Sequence, residues 1–160
     1  MQIEQLIDRY GDDILRLCTA YLGDRQLAED AFQETFVKAW KNLSAFRGDS
    51  SEKTWLCRIA VNTCRDMLRS GWLRMWKRSQ PVEMLMSLTT GETPQPPSPV
   101  LEAVGRLSGK YREVVVLYYD QNLNVREISE LLHLPVNTVT TRLRRAREIL
   151  RKELKGEIEL

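Results

Sequence analysis

NVREISELLHLPVNTVTTRLRRAREILRK, residues 124–152, decides the fold of this chain. Asn124 stands where a helix N-cap is needed, and Glu127, three places on, is set to reach back to it as a capping box. Ile128, Leu131 and Leu132 follow at the i, i+3, i+4 spacing of a buried helical stripe. His133-Leu134-Pro135 ends that helix, because proline disfavours helical geometry in the residue before it and suits the opening of the next helix. On the second helix Val136, Val139, Leu143, Ala146 and Leu150 share one narrow arc at about 100° per residue. The opposite face holds Asn137, Thr141, Arg144 and Arg145, with Thr138 and Thr140 on its flanks. Short polar groups lead and cations follow, the order suited to a helix that enters a DNA major groove by its N-terminal end and meets phosphate with its later turns. A charged helical hairpin is also common as plain solvated surface. The six Lys or Arg against a single acid, Glu148, in residues 142–152 weigh toward nucleic acid.

Working outward, TTGETPQPPSP (89–99) holds four prolines and a glycine and lacks the apolar residues to pack. It reads as an extended linker between two helical blocks. In the N-terminal block, Ile3, Leu6, Ile7, Tyr10, Ile14, Leu17, Cys18 and Tyr21 fall at helical spacing, with Gly11 a weak point. Gly23-Asp24 ends that helix, and Asp24 is placed to cap a second one bearing Leu27, Ala31, Phe32, Phe36, Ala39, Trp40 and Leu43. After a loop at 45–51, a third carries Leu56, Ile59, Ala60, Thr63, Met67 and Leu68. VVVLYY (114–119) is strand-like in composition, but its setting, KYREVVVLYYDQ, favours a buried helix. The expected fold is all-α, with two small helical domains.

The third helix has a second stripe. Trp55, Arg58, Asn62, Arg65 and Arg69 lie away from its apolar face, one aromatic followed by cations and an amide. That is a plausible track for single-stranded nucleic acid, whose bases stack on the ring while arginines follow the backbone. Phe46 and Arg47 before the helix and Trp72, Arg74, Trp76, Lys77 and Arg78 after it continue the theme. Trp55 taken alone reads equally well as a core residue.

The totals fit this picture. Hydrophobic content of 42% is ample for packed cores, and no apolar run approaches the ~20 residues needed to cross a bilayer. The acidic, amphipathic start resembles no secretory signal, so a cytosolic protein is expected. Net charge is only +2, yet residues 1–34 hold eight acids against three bases and residues 35–78 ten bases against three acids. Two cationic blocks in a near-neutral chain suggest two contacts with a polyanion. Cys18, Cys57 and Cys64 lack CxxC spacing and fall on apolar faces, where cysteine serves as a small hydrophobe. With His133 as the single histidine, neither a metal site nor a catalytic constellation is expected, and no cofactor.

The two blocks together closely resemble the extracytoplasmic-function (ECF) group of bacterial sigma factors. AEDAFQETFVKAWKNLSAFRGDSSEKTWLCRIAVNTCRDMLR (28–69) is similar to the domain that binds core RNA polymerase and the −10 promoter element. LSGKYREVVVLYYDQNLNVREISELLHLPVNTVTTRLRRAREIL (107–150) is similar to the −35-reading domain. The resemblance implies domains at 1–75 and 100–156 with a linker at 76–99. It implies polymerase contacts at Asp30, Gln33, Glu34 and Phe36, with Phe36 and Trp40 partly core. It implies −10 contacts in the specificity loop, Phe46, Arg47, Gly48, Asp49, Ser50 and Lys53, and on the helix behind it, Trp55, Arg58, Asn62 and Arg65. It assigns −35 recognition to Val136, Asn137, Thr138, Thr140, Thr141, Arg144 and Arg145. The implied partners are core RNA polymerase, promoter DNA (−35 duplex and −10 single strand) and an anti-sigma factor. Three positions depart from the group's usual pattern: His133 fills a turn position often held by glycine, Thr140 one often basic, and Cys57 one often aromatic. The rival readings are a one-component duplex-DNA regulator, which leaves the Trp55–Arg69 stripe without purpose, and a nucleic-acid-processing enzyme, for which the residues offer no catalytic cluster.

Overall fold

The computed structural model describes residues 2–48, 50–69 and 99–155, and among these every regular element is helical. The chain divides into two compact units on either side of residue 80. The linker stretch from residue 76 to residue 98 lies outside the described residues.

The N-terminal unit is three mutually packed helices, α1 (Ile3–Leu22), α2 (Arg25–Lys41) and α3 (Glu52–Leu68). Leu6, Ile14, Leu17 and Leu22 of α1 are buried with Leu56 and Val61 of α3, each fully buried leucine contributing about 2 kcal/mol. Ala28, Ala31 and Ala39 of α2 and Ala60 of α3 are also buried, small side chains that let helix axes approach closely. The α1–α2 corner takes two residues. Gly23 sits at φ 69°, a left-handed conformation that a Cβ would strain, and its N–H donates to the Thr19 carbonyl at 2.8 Å. Asp24 then caps α2, its Oδ1 accepting from the Leu27 N–H at 2.9 Å as the sequence foretells. Gly11 does not interrupt α1; a Cβ there would lie 3.7 Å from the Phe32 ring, at ordinary contact distance. All three cysteines are buried and none forms a disulfide.

In the C-terminal unit α4 (Pro99–Arg106), α5 (Gly109–Val115) and α6 (Val125–Leu132) pack against the long α7 (Val136–Leu154). Pro99, expected as the end of the linker, instead opens α4, where its fixed φ and missing N–H cost nothing. The VVVLYY stretch is helical. Val114, Val115, Val116 and Leu117 are all buried, and the helix runs on through a widened turn at Val116–Asp120. There the Gln121 N–H reaches back five residues to the Val116 carbonyl (3.1 Å), and the Leu123 N–H reaches Leu117 (3.0 Å).

The capping box closes as expected. The Asn124 Oδ1 accepts from the Glu127 N–H at 2.8 Å, and Glu127 Oε1 accepts from the Asn124 N–H at 3.0 Å. His133 ends α6 at φ 57°, ψ 45°, so the position holds left-handed geometry without a glycine. Ser129 clamps the turn: its carbonyl accepts from the Leu134 N–H at 3.0 Å while its hydroxyl donates to the Leu134 carbonyl. Ile128, Leu131 and Leu132 are buried, as are Val139 and Leu143 of α7, while Ala146 packs with Leu107 and Val115, and Leu150 is half-buried against them. Val136 departs from the expected buried arc. It is 45% exposed, because it stands in the first turn of α7 and burial begins only at Val139.

Candidate nucleic-acid interface

The clamped turn holds α7 by one face and leaves the other in solvent. Asn137, Thr140, Arg144 and Arg145 are exposed, Thr138 and Thr141 half-buried, and Val136 joins them at the exposed N-terminal end. Thr140 donates its hydroxyl to the Val136 carbonyl at 3.0 Å, which turns the group back along the helix and leaves a lone pair outward. Pro135 offers the N-terminus no capping side chain. Arg144 and Arg145 make no hydrogen bond or ion pair with any described residue. Two bare guanidinium groups one residue apart on a rigid helix are suited to phosphate or to guanine edges.

Arg147 is a further exposed cation of α7, with contacts that the sequence pattern does not mark. Its Nε donates to the Tyr119 hydroxyl at 2.7 Å, and its guanidinium carbon lies 5.7 Å from the ring centres of both Tyr118 and Tyr119. The two rings meet edge to face at 4.9 Å, and Tyr119 is 53% exposed. This cation is fixed in place, unlike its neighbours, by partners 28 residues away that helical periodicity does not reveal.

The second cationic surface, on the N-terminal unit, is built differently. The Phe46 and Trp55 rings pack at 5.0 Å, tilted by 46°, joining the start of the loop to α3. Trp55 is half-buried, so it is both a packing residue and an available ring face. Gly48 holds φ 79° with open space around it, and Arg47 is exposed beside it. Ser50 is half-buried, and Asp49 lies outside the described residues, as do Trp72, Arg74, Trp76, Lys77 and Arg78. Ser51 closes the loop by capping α3, its Oγ accepting from the Thr54 N–H at 3.0 Å. Arg58 is half-buried, and its Nε is shielded from solvent without a hydrogen-bond partner. Asn62 is exposed and Arg65 half-buried. Lys53, expected to face DNA, places its ammonium 3.6 Å from the Asp13 carboxylate of α1.

The third surface is the outer face of α2. Asp30, Gln33 and Glu34 are exposed on it, with Gln26 donating to Asp30 at 3.2 Å. Phe36, expected at the polymerase contact and partly core, is 5% exposed and packed ring to ring with Phe32 at 5.0 Å, so it stands in the core and off this surface. Trp40, expected to be partly core, is 61% exposed, and Val37 is 42% exposed on the same stripe. The inner face of α2 is filled by alanines, and its tryptophan points out.

Residues 6–78 match the family Sigma-70 region 2, and residues 98–150 match Sigma-70, region 4. The ECF RNA polymerase sigma factor SigW of Bacillus subtilis is 36% identical, over 94% of this chain and 87% of its own. The chain belongs to the ECF sigma factor family. The RNA polymerase sigma-H factor of Pseudomonas aeruginosa is 32% identical over 93% of this sigma factor and 84% of its own length. Among solved structures, the sigma factor RpoE in complex with the anti-sigma factor NepR, from Bartonella quintana, has a TM-score of 0.76 at 21% identity. It covers 97% of this sigma factor and 98% of its own chain. CnrH in complex with the cytosolic domain of CnrY has a TM-score of 0.71 at 26% identity, with 98% and 89% covered. As a member of this family the chain is a promoter-directing subunit of RNA polymerase.

Proposed function

We propose that this sigma factor reads its promoter with two chemically distinct surfaces, α7 for −35 duplex and the 46–53 loop with α3 for a melted −10 strand, while α2 docks on core polymerase. The observation that carries the reading is the contrast between bare Arg144 and Arg145 on a rigid helix and the aromatic Phe46–Trp55 pair beside a loop. Guanidinium groups on a straight helix suit the fixed edges of duplex DNA, whereas aromatic faces suit bases that have left the stack. Val136, Asn137, Thr138, Thr140 and Thr141 would line the major groove, with Arg144 and Arg145 at base edges or phosphates. Arg47, Gly48, Asp49, Ser50, Trp55, Arg58, Asn62 and Arg65 would bound the −10 strand, with Phe46 on its stacking face. On α2, Asp30, Gln33 and Glu34 would meet a polymerase surface of opposite charge, with Trp40 and Val37 supplying apolar area. Domain limits of 1–75 and 100–156 fit this division of labour.

Neither cationic surface alone should bind tightly at cellular salt, because phosphate contacts weaken steeply as counterions compete. Docked together on polymerase, the two bind cooperatively through raised effective concentration. Unstacking energy then selects the promoter, since only a base that fits the loop repays leaving the duplex. Opening is driven by binding, with no bond made or broken by this protein, which acts in the cytoplasm as a non-enzymatic subunit without a cofactor. CnrH was solved with the cytosolic domain of CnrY, and an anti-sigma protein covering these surfaces is the natural inhibitor here. Run-off transcription with core polymerase is the direct test. Start sites should appear downstream of a shared two-part motif and vanish when Asp30 and Glu34 are reversed to lysine. No initiation from any genomic template would defeat the reading.

A further inference from the structure

Among its described residues, the specificity loop is held at its two ends. Phe46 rests on Trp55 at one end and Ser51 caps α3 at the other, while Arg47 and Gly48 make no hydrogen bond with any described residue. The position of the second end therefore follows the first turn of α3. That turn is tied to α1 by two ion pairs of opposite polarity. Arg9 Nη1 lies 3.6 Å from Glu52 Oε1, and Lys53 Nζ lies 3.6 Å from Asp13 Oδ2. Arg9 and Asp13 are one helical turn apart on α1, and Glu52 and Lys53 are adjacent on α3. Asp13 is itself steadied by an ion pair with Arg16.

We infer that Arg9 and Asp13 of α1 are positioning residues for −10 recognition, setting the register of the loop through Glu52 and Lys53 rather than touching DNA. A positive-on-negative pair beside a negative-on-positive pair resists rotation of α3 about its axis in either direction, because any slip brings like charges together. The packed side of the same turn, with Thr54 and Leu56 buried, fixes depth and coarse angle, and the ion pairs bias the fine register. Partly exposed pairs contribute little to global stability, so reversing one leaves the fold standing. This inference rests on the loop being the −10 reader and assigns Lys53 a role inward, on Asp13.

The experiment uses the full chain assembled with core polymerase. It compares initiation on a cognate promoter with initiation on the same promoter carrying single −10 substitutions. The ratio cancels the phosphate contribution, which is common to both templates. Asp13→Lys and Lys53→Asp singly should each lower discrimination on the order of threefold to fivefold, and the double reversal should restore most of it. Arg9→Ala is a milder variant that should lower discrimination in the same direction and leave the fold intact by circular dichroism. Phe46→Ala runs alongside as the arm that reports on the loop itself. If Phe46→Ala changes base preference while the Asp13 and Arg9 variants do not, the inference fails and the loop reading stands. If Lys53→Asp alone has an effect and the double reversal rescues nothing, Lys53 touches DNA and the inference also fails. If Phe46→Ala leaves base preference unchanged, the loop reading is what fails.

Discussion

Arg144 and Arg145 of α7 carry the same charge as the arginines of α3 and stand in an opposite relation to the protein. Arg144 and Arg145 project from the helix with no partner among the described residues, on a scaffold fixed by the Asn124 cap and the Ser129 clamp. Arg58 and Arg65 are half-buried, Arg58 with a shielded Nε, and Arg69 is paired with Asp66 at 3.3 Å. Beside them stands the Phe46–Trp55 pair, with its rings at 5.0 Å. A duplex offers a rigid, repeating target, so the surface that reads it needs only reach. A melted strand has no shape of its own, and the surface that reads it must supply the shape. Under the proposed assignment, the difference between the two units is a difference in which partner brings the geometry.

Loss of the bare cations should have the largest effect. Arg144→Ala with Arg145→Ala should weaken binding to −35 duplex about a hundredfold, from roughly 1–3 kcal/mol per arginine. The salt dependence should flatten by about one unit for each phosphate no longer neutralised, as read by fluorescence anisotropy across a salt series. An unchanged slope would place both groups away from phosphate. The counterpart on the other unit is Trp55→Ala, with an expected cost of about 1–3 kcal/mol against single-stranded −10 DNA and little against duplex. Equal losses on both would mean that Trp55 acts through packing. Asn124→Ala follows, and should destabilise the C-terminal unit by about 1 kcal/mol. Hydrogen exchange should then quicken on α6, and −35 affinity should fall only as far as the folded fraction does.

Legibility tracks the range of each interaction. The Asn124–Glu127 box and the Asp24 cap are readable because both partners lie within three residues of each other in the chain. The buried stripes of α1, α6 and most of α7 are readable because periodicity reports which face is apolar. Periodicity does not report which apolar residue the core takes. On α2 the sequence offers both Phe36 and Trp40 as partly core, and packing takes only Phe36, since Trp40 falls on the outer stripe. Val136 misleads for a related reason, as the arc it shares with Val139 extends past the end of the core. Arg147 on Tyr119 and Lys53 on Asp13 join residues 28 and 40 apart, and nothing local in the sequence marks such pairs.

The smallest expected effect separates stability from reading within the N-terminal unit. A glycine inside a helix costs about 1 kcal/mol relative to alanine, because its backbone loses more freedom on folding. Gly11 lies inside α1, and a Cβ there would meet Ile7 Cγ2 at 3.7 Å and the Phe32 ring at 3.7 Å, an ordinary contact that displaces nothing. Gly11→Ala should therefore raise the stability of this unit by about 0.5–1 kcal/mol, or several degrees in its melting temperature. Because the contact lies on the α2 side of α1, while Arg9 and Asp13 meet α3, −10 discrimination should stay where it is. A stabilised unit with altered base preference would mean that α1 cannot be stiffened without moving the loop, and that the two ion pairs are one part of a wider coupling between α1 and recognition.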